Sequence, residues 1–272
     1  MTPRVDPLMF VGGLSVFTCV VFGGLLGGLR RESGKVRAKV YDLPELLISI
    51  VLGGFFAALV VKSALRGDAA DAPAVTLDQV LPNAALFATM FIGIALFLRF
   101  RGIDITHALG LDRVPVARAV ANGFGLIVAA FPLVLCASLL MQMVLRQDAQ
   151  EQELVTLFKE AAQKSNDTAI AQIAFAGAVI APICEEFLFR GFFYIAFKRY
   201  LGAIPSAVLT SALFAAFHVN LAAFPSLFVL ALCFTIAFET TGSLLVPITM
   251  HALFNGAQLG FLYYITRAGL AG

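Results

Sequence analysis

The sequence predicts an all-α protein, a polytopic bundle of about eight membrane-spanning helices. Three observations carry this. Of the 272 residues, 60% are hydrophobic and only 13% charged, where a soluble domain holds about 25% charged residues. Mean hydropathy is +0.91. Apolar runs long enough to cross a hydrocarbon core about 30 Å thick recur from end to end, separated by short polar stretches. The same composition excludes other classes. A net charge of +2, with the basic residues in loops, leaves no electrostatic footprint for nucleic acid. Cys19, Cys136, Cys184 and Cys233 stand singly within apolar runs. Neither a zinc ribbon nor a disulfide framework is indicated, and the four read as small buried hydrophobes.

The runs place spans at about 8–29, 44–64, 81–98, 119–143, 169–197, 203–219, 222–239 and 243–265. Span one is followed by Arg30 and Arg31 and lacks a cleavage pattern, so it reads as a membrane helix, not a removed signal. Its Gly23/Gly27 and Gly24/Gly28 pairs, four apart, permit close helix packing. Span five is longer than a bilayer needs and is expected to tilt or to extend beyond it. Basic residues gather in the loop after span one (Arg30, Arg31, Lys35, Arg37, Lys39), after span three (Arg99, Arg101, Arg113, Arg118) and after span five (Lys198, Arg199). The positive-inside rule then puts these loops in the cytoplasm and both termini outside it. Tyr41 and Tyr200 are expected near the cytoplasmic interface, Tyr263 and Tyr264 near the outer one.

Two connecting segments stand out. Glu151–Lys164 carries Leu154, Val155, Leu157, Phe158 and Ala161 on one helical face, as a surface-lying helix or a lid would. Residues 102–114 read as a polar cytoplasmic connector. The chain divides into N-terminal helices of unassigned role, 1–118, and a core, 119–272, that carries the chemistry described next.

Span five contains APICEEFLFRGFFY, with Glu185, Glu186 and Arg190 inside an apolar run. A charge near the bilayer centre costs about 2.5–3.5 kcal/mol on insertion scales, so three in six positions need mutual pairing or a function. Glu186 and Arg190 are four apart with the acid first, the better order for a helical ion pair. That pair reads first as a structural bridge. Glu185 lies about 100° away around the helix and points toward another span. His218 ends FAAFH on span six, with Phe214 one turn before it. His251 and Asn255, in HALFN, share a face of span eight. Taken singly, each is as readily a packed or helix-linking residue. From the inferred cytoplasmic ends, Glu185, His218 and His251 lie about 20, 22 and 12 Å deep, all toward the middle of the membrane. One carboxylate, two imidazoles and an amide at that depth suit an acid–base site or a metal site.

EEFLFR, FAAFH and HALFN follow the patterns EExxxR, FxxxH and HxxxN. In this order on hydrophobic segments they resemble the CAAX protease and bacteriocin-processing (CPBP, or Abi) family, which includes the type II CAAX prenyl endopeptidases. GSLLVPITMHALFN, from Gly242 to Asn255, also looks like the family's last motif. The likeness covers roughly residues 119–265. It implies an intramembrane endopeptidase with an eight-helix core, multi-pass in the plasma membrane if bacterial. Its partners would be the lipid bilayer and a membrane-associated peptide or protein, prenylated or leader-bearing, with no nucleic acid. By the same resemblance Glu185 and His218 activate water, His251 and Asn255 bind or polarise the scissile carbonyl, and Glu186, Arg190 and Phe214 support them. The family has been described both as metalloproteases and as metal-independent glutamate proteases. Zinc on Glu185, His218 and His251 therefore stays open, although HExxH is absent. Two readings of other classes stand beside it: a non-catalytic scaffold or immunity protein, and an ion-coupled transporter. Against the transporter, the sequence shows no paired repeats or matching interrupted helices.

Overall fold

A computed structural model of the chain describes residues 13, 16, 18–27, 34–65, 76–145 and 153–270, and among these the regular structure is helical throughout. In chain order the helices are α1 (Thr18–Gly27), α2 (Leu43–Leu65), α3 (Leu77–Phe100), α4 (Ile105–Ala108), α5 (Val116–Leu145), α6 (Glu153–Gln163), α7 (Asp167–Leu201), α8 (Ala203–Phe217), α9 (Phe224–Thr241) and α10 (Leu245–Arg267). Six of them, α2, α3, α5, α7, α9 and α10, are long and apolar enough to cross a membrane. The two shorter apolar helices, α1 and α8, occupy the places of the first and sixth expected spans. Much of the expected first span, with Arg30 and Arg31 after it, and the first two residues of the Glu151–Lys164 segment fall outside the described residues.

Local chemistry sets the boundaries. The Gln79 side chain accepts from the Thr76 N–H at 3.2 Å, half of a capping box at the start of α3. Asn166 Oδ1 accepts from the Ala169 N–H at 3.1 Å and so satisfies one of the orphan donors of α7. Gly242, at φ +71°, ends α9 in the left-handed conformation, which glycine adopts without a Cβ penalty.

α7 runs for 35 residues but is not one uniform helix. Two π-helical stretches, Ala176–Ile180 and Phe187–Tyr194, flank the α-helical Ala181–Glu186. Pro182 lacks an N–H, so it cannot make the i→i−4 bond of a regular ladder, and the first π stretch lies immediately before it. π turns concentrate at functional sites; here they bracket the two glutamates. All eight residues of the second stretch are buried, because α7 has protein on every side there.

Three apolar clusters hold the bundle together, two of them along α7. Its Phe187–Phe197 portion packs with Phe56, Leu98, Phe214 and Phe238. A second cluster joins α5, α9 and α10 through Ala130, Phe234 and Met250, with Phe22 of α1 against it. The third holds α6: Phe158, Ala161 and Ala162 are buried, and Phe158 and Ala161 pack with Ile173 and Leu259. The helix expected as a lid thus has its apolar face seated on α7 and α10.

One end of the bundle is more tightly built than a run of polar loops would be. The connector expected to be polar buries Ala108 and Leu109, and Leu109 O accepts from the Leu244 N–H at 3.0 Å. Glu45, fully buried, takes hydrogen bonds from Arg101 Nε at 3.0 Å and the Asp42 N–H at 2.7 Å. Tyr41 is also fully buried, against the expectation of an interfacial ring. Burial, reinforced by the Glu45 carboxylate, holds its phenol well above the usual tyrosine range, so the hydroxyl is a donor. Lys198, counted above among the loop charges, pairs with Glu239, which also accepts from Tyr194 Oη at 2.6 Å.

Candidate active site

The polar residues of span five meet α8, α9 and α10 at one hub. Glu186 is fully buried. Its Oε1 accepts from Arg190 Nη1 at 2.9 Å and from His251 Nδ1 at 2.9 Å. Arg190 also donates from Nη2 to Ala231 O at 3.0 Å. Its guanidinium lies over the rings of Phe214 and Phe234, at 4.7 and 5.2 Å from their centroids. A buried charge is tolerable only when paired and hydrogen-bonded; Arg190 is paired with Glu186 of its own helix and hydrogen-bonded to Ala231 O of α9, while its Nε has no partner among the described residues. The i, i+4 pair expected from sequence is present, and it extends across the change from α to π geometry.

Glu186 does more than bridge to Arg190. Because a carboxylate oxygen can only accept, the His251 bond fixes the donor as Nδ1–H and turns Nε2 outward. That Nε2 lies 3.9 Å from Glu185 Oε2. Glu185 thus reaches another helix, as expected, and its partner is the imidazole that Glu186 orients. The Oε2 atom of Glu185 is buried without a hydrogen-bond partner among the described residues. The His251 ring stacks on Phe234 at 5.1 Å and meets the edge of Phe214 at 5.8 Å.

His218 joins through Phe214. Its Nδ1–H donates to Phe214 O at 2.8 Å, which leaves Nε2 as the basic nitrogen. The two rings are 4.8 Å apart. Phe214, 1% exposed, is therefore the shared wall between Arg190, His218 and His251. Asn255, one turn beyond His251, donates from Nδ2 to Gly177 O at 2.8 Å, a carbonyl inside the first π stretch. Among the described residues no three His, Cys, Asp or Glu side chains come together as a group that could hold an ion. Glu185 and His251 approach one another, while the hydrogen bond of His218 goes to Phe214.

Residues 167–257 match a protein-family model described as type II CAAX prenyl endopeptidase Rce1-like. The matched stretch contains all three polar motifs. Over that segment the chain is similar to the type II CAAX prenyl endopeptidases, in agreement with the resemblance carried by the motifs. Comparison with curated proteins and with solved structures returns no match. The match supports a CAAX-type intramembrane endopeptidase in general: a protease, integral to a lipid bilayer, acting on a membrane-associated substrate. The six long apolar helices agree with an integral membrane protein.

Several parts of the hub have no signature in the sequence. Ala231 contributes a carbonyl and Phe234 a ring face, and neither sits in a polar motif. The link from Glu186 to His251 depends on where α7 and α10 cross. Helical spacing gives neighbours within a helix, not partners across helices.

Proposed function

We propose that the chain is an intramembrane endopeptidase in which Glu185 and His218 activate water and His251 and Asn255 polarise the scissile carbonyl. The substrate is a membrane-associated peptide or protein, prenylated or leader-bearing. One observation carries the assignment of the base. Every other motif side chain is committed: Glu186 to Arg190 and His251, His218 Nδ1 to Phe214 O, and Asn255 to Gly177 O. Glu185 Oε2 is buried without a partner and lies beside His251 Nε2; Glu186 Oε2 is also unpartnered, but Oε1 of that carboxylate is held by two donors.

The chemistry closes on these groups. Glu185 takes one proton from water while the hydroxide oxygen adds to the carbonyl carbon. The His218 Nε2 lone pair holds the second water proton and so orients the attack. The developing oxyanion is met by the second Nδ2 hydrogen of Asn255 and by Nε2–H of His251 in its protonated form, which the Glu186 carboxylate stabilises through Nδ1. Collapse of the tetrahedral intermediate breaks the C–N bond, and the leaving nitrogen takes the proton from Glu185. The carboxylate is restored, with one water consumed.

The test is cleavage of a fluorogenic peptide panel, prenylated and unmodified, by the purified chain beside its Glu185→Gln variant, with and without a chelator. Cleavage that needs Glu185 and survives the chelator is the expected result. Cleavage lost with the chelator and restored by zinc would replace this mechanism with a metal-dependent one. Undiminished function of Glu185→Gln would favour the scaffold reading.

A further inference from the structure

The segment between α1 and α2 lies outside the family match, yet it is fastened to the motif helix. The Lys35 N–H donates to Glu239 O at 2.9 Å, and Lys35 O accepts from Arg113 Nη1 at 2.8 Å. Val36 O accepts from Lys198 Nζ of α7 at 2.9 Å. At the end of this strap, Tyr41 is fully buried against Phe192, with ring centroids 6.0 Å apart. Its hydroxyl donates to Gly191 O at 2.8 Å. Gly191 is inside the second π stretch and directly follows Arg190.

A π turn carries one residue more than the α-helix it interrupts and disturbs the backbone ladder, so its carbonyls depend on donors from elsewhere. Both π stretches of α7 have such a donor on one carbonyl: Asn255 at Gly177 and Tyr41 at Gly191. Relaxing the second stretch to α geometry would turn Arg190 relative to Glu186 by a sizeable fraction of the about 100° that separates helical neighbours. Arg190 holds Glu186, and Glu186 holds the His251 ring whose Nε2 faces Glu185.

We propose that Tyr41 is a positioning residue. Its hydroxyl locks the Gly191 carbonyl, keeps the second π stretch wound, and so sets the orientation of His251 through Arg190 and Glu186. This gives the N-terminal helices a task in the reaction: their strap delivers the brace. The kinetic consequence rests on the protease reading; the geometric one does not.

The experiment uses the full chain in detergent micelles, carrying isotopically labelled histidine, with the His251 resonances assigned from His251→Gln. Tyr41→Phe removes one oxygen and keeps the ring. Its expected result is a shifted or broadened His251 Nδ1–H signal, with about tenfold lower kcat at unchanged KM, the effect of losing one buried hydrogen bond in the supporting structure. Phe192→Leu, which loosens packing on the same ring but leaves the hydroxyl bond, is expected to lower stability and leave the His251 signal in place. A Tyr41→Phe protein with the His251 signal unmoved overturns the proposal and leaves the protease reading standing. Equal movement in both variants also overturns it, since packing alone would then account for the effect. A moved signal in a chain that cleaves no peptide upholds the brace and counts against the protease reading.

Discussion

Glu185 and Glu186 are adjacent carboxylates with opposite structural roles, and conversion of each to Gln separates them. Glu186 is fully buried and accepts from two donors on one oxygen. Glu186→Gln keeps the shape, removes the counter-charge of Arg190, and presents an amide that accepts from only one side. Breaking a buried ion pair from one side costs about 3–5 kcal/mol, because the remaining charge is left uncompensated. The bond of Arg190 to Ala231 O and its two aromatic faces remain, which places the expected loss near the lower end, about 3 kcal/mol. Glu185 has a side chain 13% exposed and no hydrogen-bonded partner on Oε2. Glu185→Gln removes a charge that nothing neutralises through a hydrogen bond, so its stability change is expected within about 1 kcal/mol of zero. Equilibrium unfolding in mixed micelles, with SDS as denaturant, measures both. Equal destabilisation by the two substitutions, or a larger loss for Glu185→Gln, would refute the division of one bracing and one uncommitted carboxylate.

Four further outcomes follow from the geometry. Gly110→Ala and Gly102→Ala both place a Cβ at positive φ, but only at Gly110 would it run into the carbonyl oxygen of Gly242; the first is expected to cost at least about 2 kcal/mol more in the same unfolding assay. Gly123→Ala would bring a Cβ to 2.7 Å from Thr249 Cβ, wedging α5 from α10 at a cost of about 1–3 kcal/mol. Val219, beside His218, is a β-branched residue at φ +49°; Val219→Gly is expected to raise the unfolding midpoint, since about 1–2 kcal/mol of strain is relieved against the smaller entropic cost of glycine. Phe214→Ala removes the wall shared by Arg190, His218 and His251 and is expected to lose about 3–5 kcal/mol, with any cleavage activity lost alongside.

The features legible in the sequence are those with a local rule. Charges inside an apolar run mark a site, and four-residue spacing predicts the Glu186–Arg190 bond and a shared face for His251 and Asn255. What escaped depends on the crossing of distant helices or on departures from α geometry. Nothing in the hydrophobic pattern of α7 announces a π turn, because a helix apolar on all sides has no face whose rotation could reveal one. Tyr41 misled for a related reason. An amphipathic ring next to a span suggests the lipid headgroups, but a hydroxyl with a buried carbonyl partner goes inside. Lys198 reads as an end-of-span charge, and it pairs with Glu239 because the two helix ends converge.

The length of α8 has a consequence for the surrounding lipid. Its fifteen residues rise about 22 Å, short of a hydrocarbon core of about 30 Å. If α8 starts at one face, the turn from His218 to Ala223 lies below the other, where open backbone is excluded unless its polar groups are met from within the protein. Many of them are: His218 N–H bonds to Ala215 O, Val219 N–H to Ala216 O, Phe224 N–H to Leu221 O, and Ala223 N–H to Asn220 Oδ1. A self-satisfied turn can stop partway through a leaflet. His218, at the end of so short a helix, is then expected to lie nearer bulk water than it would within a span of full length.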